Sequence, residues 1–168
     1  MSRDAEQLRK SSLVADLSDE DVARLLSSGR FVRFSSGDVI MREGEESDTM
    51  YLFLEGVVDV SKNLTLRIAG KGFGHAEKSM TRLKAGTAPV FGEMSMFGDE
   101  PRSATLTAAN DCVLFELSRK AFEAICGENP RLGLALTGRI AAMLSSRVRK
   151  GNDDVLKLST ALSIALSR

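Results

Sequence analysis

From Phe31 onward the sequence is divided into short β-rich runs whose side-chain pattern has a period of two residues. The first runs are RFVRF, DVIMRE and TMYLFLEGVVDVSK, and the segments between them, SSGD and EGEESD, have the composition of tight turns. Later runs of the same kind are RSATLTA and DCVLFEL. Strands at such close and regular spacing predict a roll or barrel of antiparallel strands.

The segment between these two groups of strands, residues 62 to 90, is less regular. NLTLRIA and SMTRLK have the composition of the two arms of a hairpin. The tip between them, GKGFGHAEK, spans residues 70 to 78 and holds three of the chain's 14 glycines, so a mobile loop is predicted there. We interpret this tip as a tolerated insertion in a surface loop.

Helices are predicted on both sides of the strands. Ser18 is placed to cap a helix that ends at Gly29, and residues 4 to 14 form a further short helix before it. After the strands, Ser118 is placed to cap SRKAFEAICGE, and Asn129-Pro130 opens a longer helix. The predicted layout is therefore N-terminal helices in residues 1–30, a β-roll in residues 31–117 and C-terminal helices in residues 118–168.

The long helix, predicted over residues 130 to 150, has an apolar face that includes Leu132, Leu136, Ile140 and Val148. A second periodic stretch, predicted as a separate helix, follows GNDD and contains Val155, Leu158 and Leu162. Two interpretations are open. Both helices pack on the domain's own β-core, or the longer one is an intersubunit seam of a homodimer, since its apolar positions fall near heptad spacing.

Charge and composition exclude several classes of protein. Lysine and arginine total 23 and aspartate and glutamate total 23, so no net field attracts the chain to nucleic acid or to a membrane surface. No segment has the roughly 18 apolar residues of a membrane-spanning helix, and a cytoplasmic location is expected. The basic cluster RVRK at 147 to 150 is interpreted as a solvated helix end. With 18 residues after Lys150, no DNA-reading module is expected.

The residues that metal and redox sites use are scarce. His75 is the sole histidine, so neither a haem nor a multi-histidine metal site of the cupin type is predicted. Cys112 and Cys126 lie in apolar segments without CxxC spacing and are predicted to be buried thiols. No cofactor and no metal are expected.

One loop concentrates the chemistry of the chain: FGEMSMFGDEPRSAT, residues 91 to 105, which carries Glu93 nine positions before Arg102. The two charges either form a surface ion pair or bind one ligand together. The planar guanidinium of Arg102 can hold two phosphate oxygens and stays charged when it is desolvated. Glu93 cannot bind a phosphate, but it can accept a hydrogen bond from a hydroxyl group, which favours a sugar beside the phosphate.

The neighbours of these two residues supply further donors. Gly92 allows close backbone approach before a short helical turn, whose free amides around Met94 and Ser95 would point at an anion. The hydroxyl of Ser103 and the amide of Ala104 follow the arginine directly. A compact ligand with one phosphate and one free ribose hydroxyl would satisfy the whole loop.

This loop resembles the phosphate-binding cassette of cyclic-nucleotide-binding domains, the family of the bacterial catabolite activator protein and the protein kinase A regulatory subunit. The family pattern is F-G-E, then small and apolar residues, then P-R-small-A-T, and residues 91–93 and 101–105 match it. The upstream segment FSSGDVIMREGEESDTMYLFLEGVVDV resembles the family's first half. The resemblance covers about residues 16 to 150 and implies an α+β fold with an eight-stranded antiparallel, jelly-roll-like β-roll.

Carried over residue by residue, the resemblance implies that Glu93 binds the ribose 2′-hydroxyl and Arg102 the cyclic phosphate. Backbone contacts would come from Gly92, Met94, Ser95 and Ala104, and a hydroxyl contact from Ser103. The sequence departs from the family where TAPV stands between Gly86 and Phe91, four residues instead of two, and a bulge in the entering strand is predicted there.

The function expected from this resemblance is a non-catalytic sensor of a cyclic nucleotide that relays occupancy through its C-terminal helices to an unknown effector protein. Ser103 favours cyclic AMP over cyclic GMP, because some members that prefer cyclic GMP carry threonine at that position. The alternative is a degenerate domain that keeps the fold and binds protein partners without a nucleotide. The loop has no general base next to a nucleophile, so no enzymatic activity is expected.

Overall fold

The fold was analysed in a computed structural model that describes residues 2–68 and 72–167, with the backbone alone for residues 64–68 and 72–80. Two short helices precede the strands, one short helix interrupts them and two helices follow. The elements are α1 Arg3–Leu8, α2 Asp19–Ser28, β1 Arg30–Phe34, β2 Val39–Met41, β3 Thr49–Glu55, β4 Val57–Ile68, β5 Gly72–Lys84, β6 Val90–Phe91, α3 Glu93–Phe97, β7 Thr105–Ala108, β8 Cys112–Ser118, α4 Arg119–Glu128 and α5 Pro130–Leu166.

The strands form two antiparallel sheets of four strands each. One sheet has the order β1-β8-β3-β6 and the other the order β2-β7-β4-β5. Every recorded strand pair is antiparallel. The predicted eight-stranded antiparallel β-roll with flanking helices is confirmed.

The central strands β3 and β8 are buried on both faces. In β3, Met50, Leu52 and Leu54 belong to a core that the helices share, whereas Tyr51 and Phe53 belong to the core between the two sheets. In β8, the odd-numbered residues 113, 115 and 117 face the helical core, and the even-numbered residues 112 and 114 face the other sheet. Because side chains alternate across a strand, two buried faces require nearly continuous apolar runs.

The helix starts agree with the capping residues seen in the sequence. The hydroxyl of Ser18 accepts a hydrogen bond from the amide of Asp21 at 3.1 Å, and Ser118 accepts one from Ala121 at 3.2 Å. The side-chain oxygen of Asn129 accepts one from the amide of Leu132 at 3.1 Å. Each contact satisfies a backbone donor that the first helical turn leaves unpaired.

The prediction of two helices after Asn129 was wrong, because α5 is one continuous helix through the GNDD segment. Gly151 in that segment does not have a positive φ. A glycine inside a helix costs only about 1 kcal/mol relative to alanine, too little to end a long helix of good helix formers. Although α5 has 37 residues, no helix among the described residues is long and apolar enough to cross a membrane.

The two halves of α5 have different surroundings. Leu132, Leu136 and Ile140 are buried in the core that the helices share with the first sheet. Beyond residue 144 every described residue of α5 is exposed, including Val155, Leu158 and Leu162. The first half therefore packs on the domain's own core, and its buried leucines are unavailable for a seam between subunits.

The hairpin between β4 and β5 differs from its prediction. Residues 72 to 78, predicted as part of a loop, pair in register with β4, from Lys62 opposite Lys78 to Ile68 opposite Gly72. The rest of the predicted tip, residues 70 and 71, lies outside the described residues. The four residues of TAPV do not form a bulge in β6, since its register with β3 is regular and a turn at residues 85 to 87 precedes it.

The two cysteines are free thiols. Cys112 is buried and donates to the carbonyl oxygen of Val57 at 3.4 Å, and burial raises the pKa of its thiol. Cys126 is partly buried, and burial likewise raises the pKa of its thiol. The prediction of unpaired thiols is confirmed, although only Cys112 is fully buried.

Replacing Gly133 by alanine is expected to strain the contact between α4 and α5. A Cβ at this position would lie 2.6 Å from Sγ and 2.9 Å from Cα of Cys126. Overpacking costs about 1–3 kcal/mol and improved helix propensity returns about 1 kcal/mol, so urea denaturation should show a free energy of unfolding lowered by up to about 2 kcal/mol.

Gly138→Ala is the matched control for this variant, because a Cβ at Gly138 of the same helix has nothing within 4 Å. It should raise the free energy of unfolding by up to about 1 kcal/mol. Equal stabilisation by both substitutions would contradict the close approach of α4 and α5.

Candidate functional site

The seven residues predicted from the cassette all line one cavity. It lies where the turn from β6 into α3 meets the start of β7, and residues from β2, β4, β5 and α5 complete its wall. The lining residues are Met41, Val60, Leu83, Phe91, Gly92, Glu93, Met94, Ser95, Arg102, Ser103, Ala104, Leu106 and Arg147.

Gly92 allows the two ends of the cassette to approach each other. Its φ of 81° lies in the left-handed region, which residues with a Cβ rarely adopt. A Cβ would lie 2.4 Å from Nη1 of Arg102 and 2.9 Å from the carbonyl oxygen of Thr49. Glycine is therefore required both for the turn into α3 and for the space that the guanidinium occupies.

The guanidinium of Arg102 is held by neutral oxygen atoms. Nη1 donates to the carbonyl oxygens of Thr49 at 2.7 Å and Gly92 at 3.0 Å, and to the hydroxyl of Ser95 at 2.8 Å. Nη2 donates to the hydroxyls of Ser47 and Thr49, both at 2.8 Å. The side chain is thus fixed from the β2–β3 connection on one side and from α3 on the other.

The charge of Arg102 is buried without a carboxylate partner. The residue is 4% exposed, and none of the ion pairs in the described part of the chain includes it. Its Nε is buried and finds no hydrogen-bond acceptor there. Burial lowers the pKa of this guanidinium, and the negative fields of Tyr51, Glu45 and Glu93 oppose that effect. A buried cation in this state favours an anion beside it.

Glu93 does not pair with Arg102. Its carboxylate, in a residue 2% exposed, accepts a hydrogen bond at 2.6 Å from Nη1 of Arg147, and Nη2 of the same arginine donates to the carbonyl oxygen of Val90 at 2.7 Å. The two opposite charges of the cassette therefore have separate partners, which excludes a simple ion pair between them.

Arg147 is a site residue that the sequence prediction missed, because the cluster RVRK was interpreted as a solvated helix end. The signal that could have found it is its spacing: Arg147 follows the buried Ile140 by seven positions, which is nearly two helical turns. It therefore lies on the face of α5 that meets the domain, whereas Arg149 does not.

The remaining cassette side chains have distinct surroundings. Ser95 is buried, and its hydroxyl accepts from Arg102 while donating to the carbonyl oxygen of Gly92 at 3.2 Å. Met94 is 56% exposed at the rim of the cavity, where the hydroxyl of Ser103 donates to its sulfur at 3.7 Å. Ser95 thus supports the arginine, and Ser103 stays near the open side.

Ser47 and Thr49 are also missing from the sequence prediction. They come from EGEESD and the start of β3, where the sequence indicated only a turn followed by a strand. No local pattern identifies them, since they meet Arg102 across a separation of more than 50 residues along the chain.

In the described residues no group of three or more metal-ligating side chains is placed to hold a metal ion.

The fold and site were compared with known proteins. The family described as "Cyclic nucleotide-binding domain" matches residues 31–129, more than half of the chain. The chain therefore belongs to the cyclic nucleotide-binding domain family.

The sequence is similar to those of a protein kinase and of a regulatory subunit of a protein kinase. The chain is 28% identical over 164 residues to cGMP-dependent protein kinase 2 of Mus musculus, covering 95% of this chain and 20% of that protein. It is 29% identical over 122 residues to the cAMP-dependent protein kinase regulatory subunit of Dictyostelium discoideum, covering 73% of this chain and 35% of that protein. The chain thus spans about a fifth to a third of the length of these relatives.

Two bacterial structures resemble the fold. A cyclic nucleotide-binding domain from Methylobacillus flagellatus superposes with a TM-score of 0.72 at 30% identity, over 91% of this chain and 80% of that one. The catabolite activator protein of Thermus thermophilus gives a TM-score of 0.68 at 26% identity, over 88% of this chain and 62% of that one.

Replacing Gly92 by alanine is expected to destabilise the protein beyond the cost of its backbone conformation. The left-handed φ costs about 1–2 kcal/mol for a residue with a Cβ. The clash with the carbonyl oxygen of Thr49 adds about 1–3 kcal/mol, which thermal denaturation can measure.

Gly86→Ala separates these two contributions. Gly86 has a φ of 89°, but a Cβ there has nothing within 4 Å. The Gly86→Ala variant should therefore lose only the conformational contribution, about 1–2 kcal/mol of the free energy of unfolding. If both variants lost the same free energy of unfolding, Gly92 would not be needed for space beside Arg102.

Proposed function

We propose that this chain binds a cyclic mononucleotide, with cyclic AMP favoured over cyclic GMP, as a non-catalytic regulatory module. The observation that carries the proposal is the buried guanidinium of Arg102, which lines the cavity without a carboxylate partner among the described residues. Family membership supports the same ligand class.

In this proposal Arg102 binds the cyclic phosphate. Its Nε has no acceptor among the described residues, and its other nitrogens are held by fixed oxygens, so the group is pre-organised and its charge is unbalanced. Met94, Ser103 and Ala104 line the same cavity, and in this proposal the amides of Met94 and Ala104 and the hydroxyl of Ser103 supply further donors to the phosphate. Gly92 and Ser95 contribute backbone contacts.

Glu93 binds the ribose 2′-hydroxyl in this proposal. Its Oε1 is occupied by Arg147, and no described residue donates a hydrogen bond to its Oε2. The hydroxyl of a ribose is a neutral donor that this carboxylate oxygen can accept from. One cavity thus offers a cation for the phosphate and an acceptor for the sugar.

The base is proposed to lie at the open side of the site. The cavity volume is about 130 Å³, below the roughly 300–1,000 Å³ of pockets that enclose a whole ligand of drug size. In this proposal the phosphate and sugar occupy the enclosed part, and the base lies near Leu83 and Val60 in the cavity wall. Ser103 in place of threonine supports cyclic AMP.

The cassette is connected to the helices that would relay occupancy. The guanidinium of Arg119, the first residue of α4, donates to the carbonyl oxygens of Ser95 at 2.8 Å and Gly98 at 3.1 Å. The ring of Phe97 contacts that of Phe122 edge-on, with centroids 5.4 Å apart. Since α3 is joined to α4 by hydrogen bonds and a ring contact, a nucleotide that shifts α3 would also shift α4. An effector protein could recognise that change.

Arg102→Ala is expected to abolish most of the affinity for cyclic AMP. Loss of the buried charge partner of the phosphate should cost about 2–5 kcal/mol of binding free energy, measured by calorimetry. Arg102→Lys keeps the charge without the planar fork and should bind with intermediate affinity. Circular dichroism melts of both variants would establish that they fold.

Arg30→Ala is the matched control, because the side chain of Arg30 is 73% exposed and, in the described part of the chain, its ion pair is with Glu116. It should leave the affinity unchanged. Unchanged affinity in the Arg102→Ala variant would contradict the proposal. If the unmodified chain bound neither cyclic nucleotide, a degenerate domain that serves protein partners would be the better interpretation.

We further propose that the exposed half of α5 forms a homodimer seam. Val148, Val155 and Leu162 recur at intervals of seven, Leu158 lies between them at heptad spacing, and all four are exposed. A repeat of this kind fits a second copy of the same helix in a coiled coil. The seam lies beyond the buried leucines of the predicted 130–150 segment.

Leu158→Asp is therefore expected to convert a dimer into a monomer, because it would bury a carboxylate in the seam. Leu156→Asp is the matched control: Leu156 is 68% and Leu158 71% exposed, but Leu156 lies off the heptad positions. Sizing chromatography with light scattering would distinguish them. Identical masses for both variants would contradict the seam.

A further inference from the structure

Arg147 lies in the exposed part of α5, but its side chain contacts the cassette. Its guanidinium joins two points of one turn: Nη1 contacts Oε1 of Glu93 at 2.6 Å, and Nη2 contacts the carbonyl oxygen of Val90 at 2.7 Å. Val90 is in β6, and Glu93 is the first residue of α3. One side chain of α5 therefore spans the entry into the cassette.

Glu93 depends on this contact for its charge balance. A carboxylate in a residue only 2% exposed is strongly destabilised unless a cation or several donors compensate it. Arg102 forms no ion pair with Glu93, and the ion pair recorded for Glu93 in the described part of the chain is the one with Arg147. The side chain of Arg147 is 40% exposed, so it reaches Glu93 from the solvent side.

The contact leaves one carboxylate oxygen available. Arg147 donates to Oε1, while Oε2 receives no hydrogen bond from the described residues. Because Nη2 is bonded to the carbonyl oxygen of Val90, the guanidinium has a defined position and holds Oε1 of Glu93 in place. This is an arrangement for presenting Oε2 to a further donor.

We infer that Arg147 is a positioning residue that orients Glu93 toward the sugar of the ligand, so that the affinity gained from the 2′-hydroxyl depends on Arg147. The inference rests on the proposed function of the cavity. Since Arg147 is part of α5, binding of the hydroxyl and docking of α5 at the cassette strengthen each other by the same free energy.

The test is a comparison of two ligands, cyclic AMP and 2′-deoxy cyclic AMP, which differ only in the hydroxyl that Glu93 would bind. Calorimetry on the unmodified chain should show tighter binding of cyclic AMP. Arg147→Gln should lower the affinity for cyclic AMP about tenfold, the effect of one hydrogen bond to a charged group, and that for 2′-deoxy cyclic AMP less than about twofold.

Three further variants sharpen this test. Arg149→Gln is the matched control, since Arg149 is exposed on the same helix and forms no ion pair among the described residues, and it should change neither affinity. Arg147→Lys should restore part of the preference for the hydroxyl. In a Glu93→Gln background, Arg147→Gln should cause no additional loss, because the pair acts as a unit. Thermal melts would show that each variant is folded.

Several outcomes would overturn the inference while cyclic nucleotide binding stands. An equal loss of affinity for both ligands in Arg147→Gln would mean that Arg147 only supports the fold. A gain in affinity for cyclic AMP would mean that Arg147 competes with the ribose for Glu93. An unmodified chain that binds both ligands equally would show that Glu93 does not recognise the hydroxyl. Binding of neither ligand would instead refute the proposed function, and this inference with it.

Discussion

The structure depends on the burial of one positive charge. Arg102 lies under α3 with its guanidinium bonded to hydroxyls and carbonyl oxygens from two distant segments, and this network ties the β2–β3 connection to the cassette. Bringing a guanidinium out of water is costly, and neutral oxygens repay only part of that cost. The glycine at position 92 is required because the charge occupies the space where a side chain would be.

The charged side chains that line the cavity carry an excess of positive charge. Two guanidinium groups, Arg102 and Arg147, and one carboxylate, Glu93, line the cavity, which leaves one positive charge uncompensated among these groups. A cyclic phosphodiester carries one negative charge, and an ionised nucleotide with a terminal phosphate carries more. The charge balance is therefore a further reason to favour a cyclic ligand, independent of the shape of the cassette.

Much of the fold could be predicted because its signals are local. Capping serines stand directly before α2 and α4, and the strands are bounded by turn residues, so short stretches of sequence were sufficient. The cassette was recognisable for the same reason, since Gly92, Glu93 and Arg102 lie within one loop. Gly151 was misleading because a glycine in a turn-like sequence does not by itself end a helix: its low helix propensity costs only about 1 kcal/mol, and α5 continues through it.

The residues that complete the site could not be predicted because they act across long separations. Ser47 and Thr49 meet Arg102 only after the two sheets have formed, and Arg147 meets Glu93 only if α5 continues straight beyond its buried half. The predicted helix over residues 130 to 150 already contained Arg147, but helical spacing alone does not show that Glu93 lies opposite it. Composition gives no signal for such residues, as serine, threonine and arginine are all common on surfaces.

The continuity of α5 also has a mechanical consequence. From Ile140, its last fully buried residue, to Leu166 the helix extends about 39 Å at 1.5 Å per residue, so a tilt of about 5° at the core would displace its far end by roughly 3 Å. The helix is thus a lever with its short arm in the core and its long arm in solvent. A rearrangement too small to break any contact at the cavity would be amplified at the far end into a movement about as large as an atomic diameter.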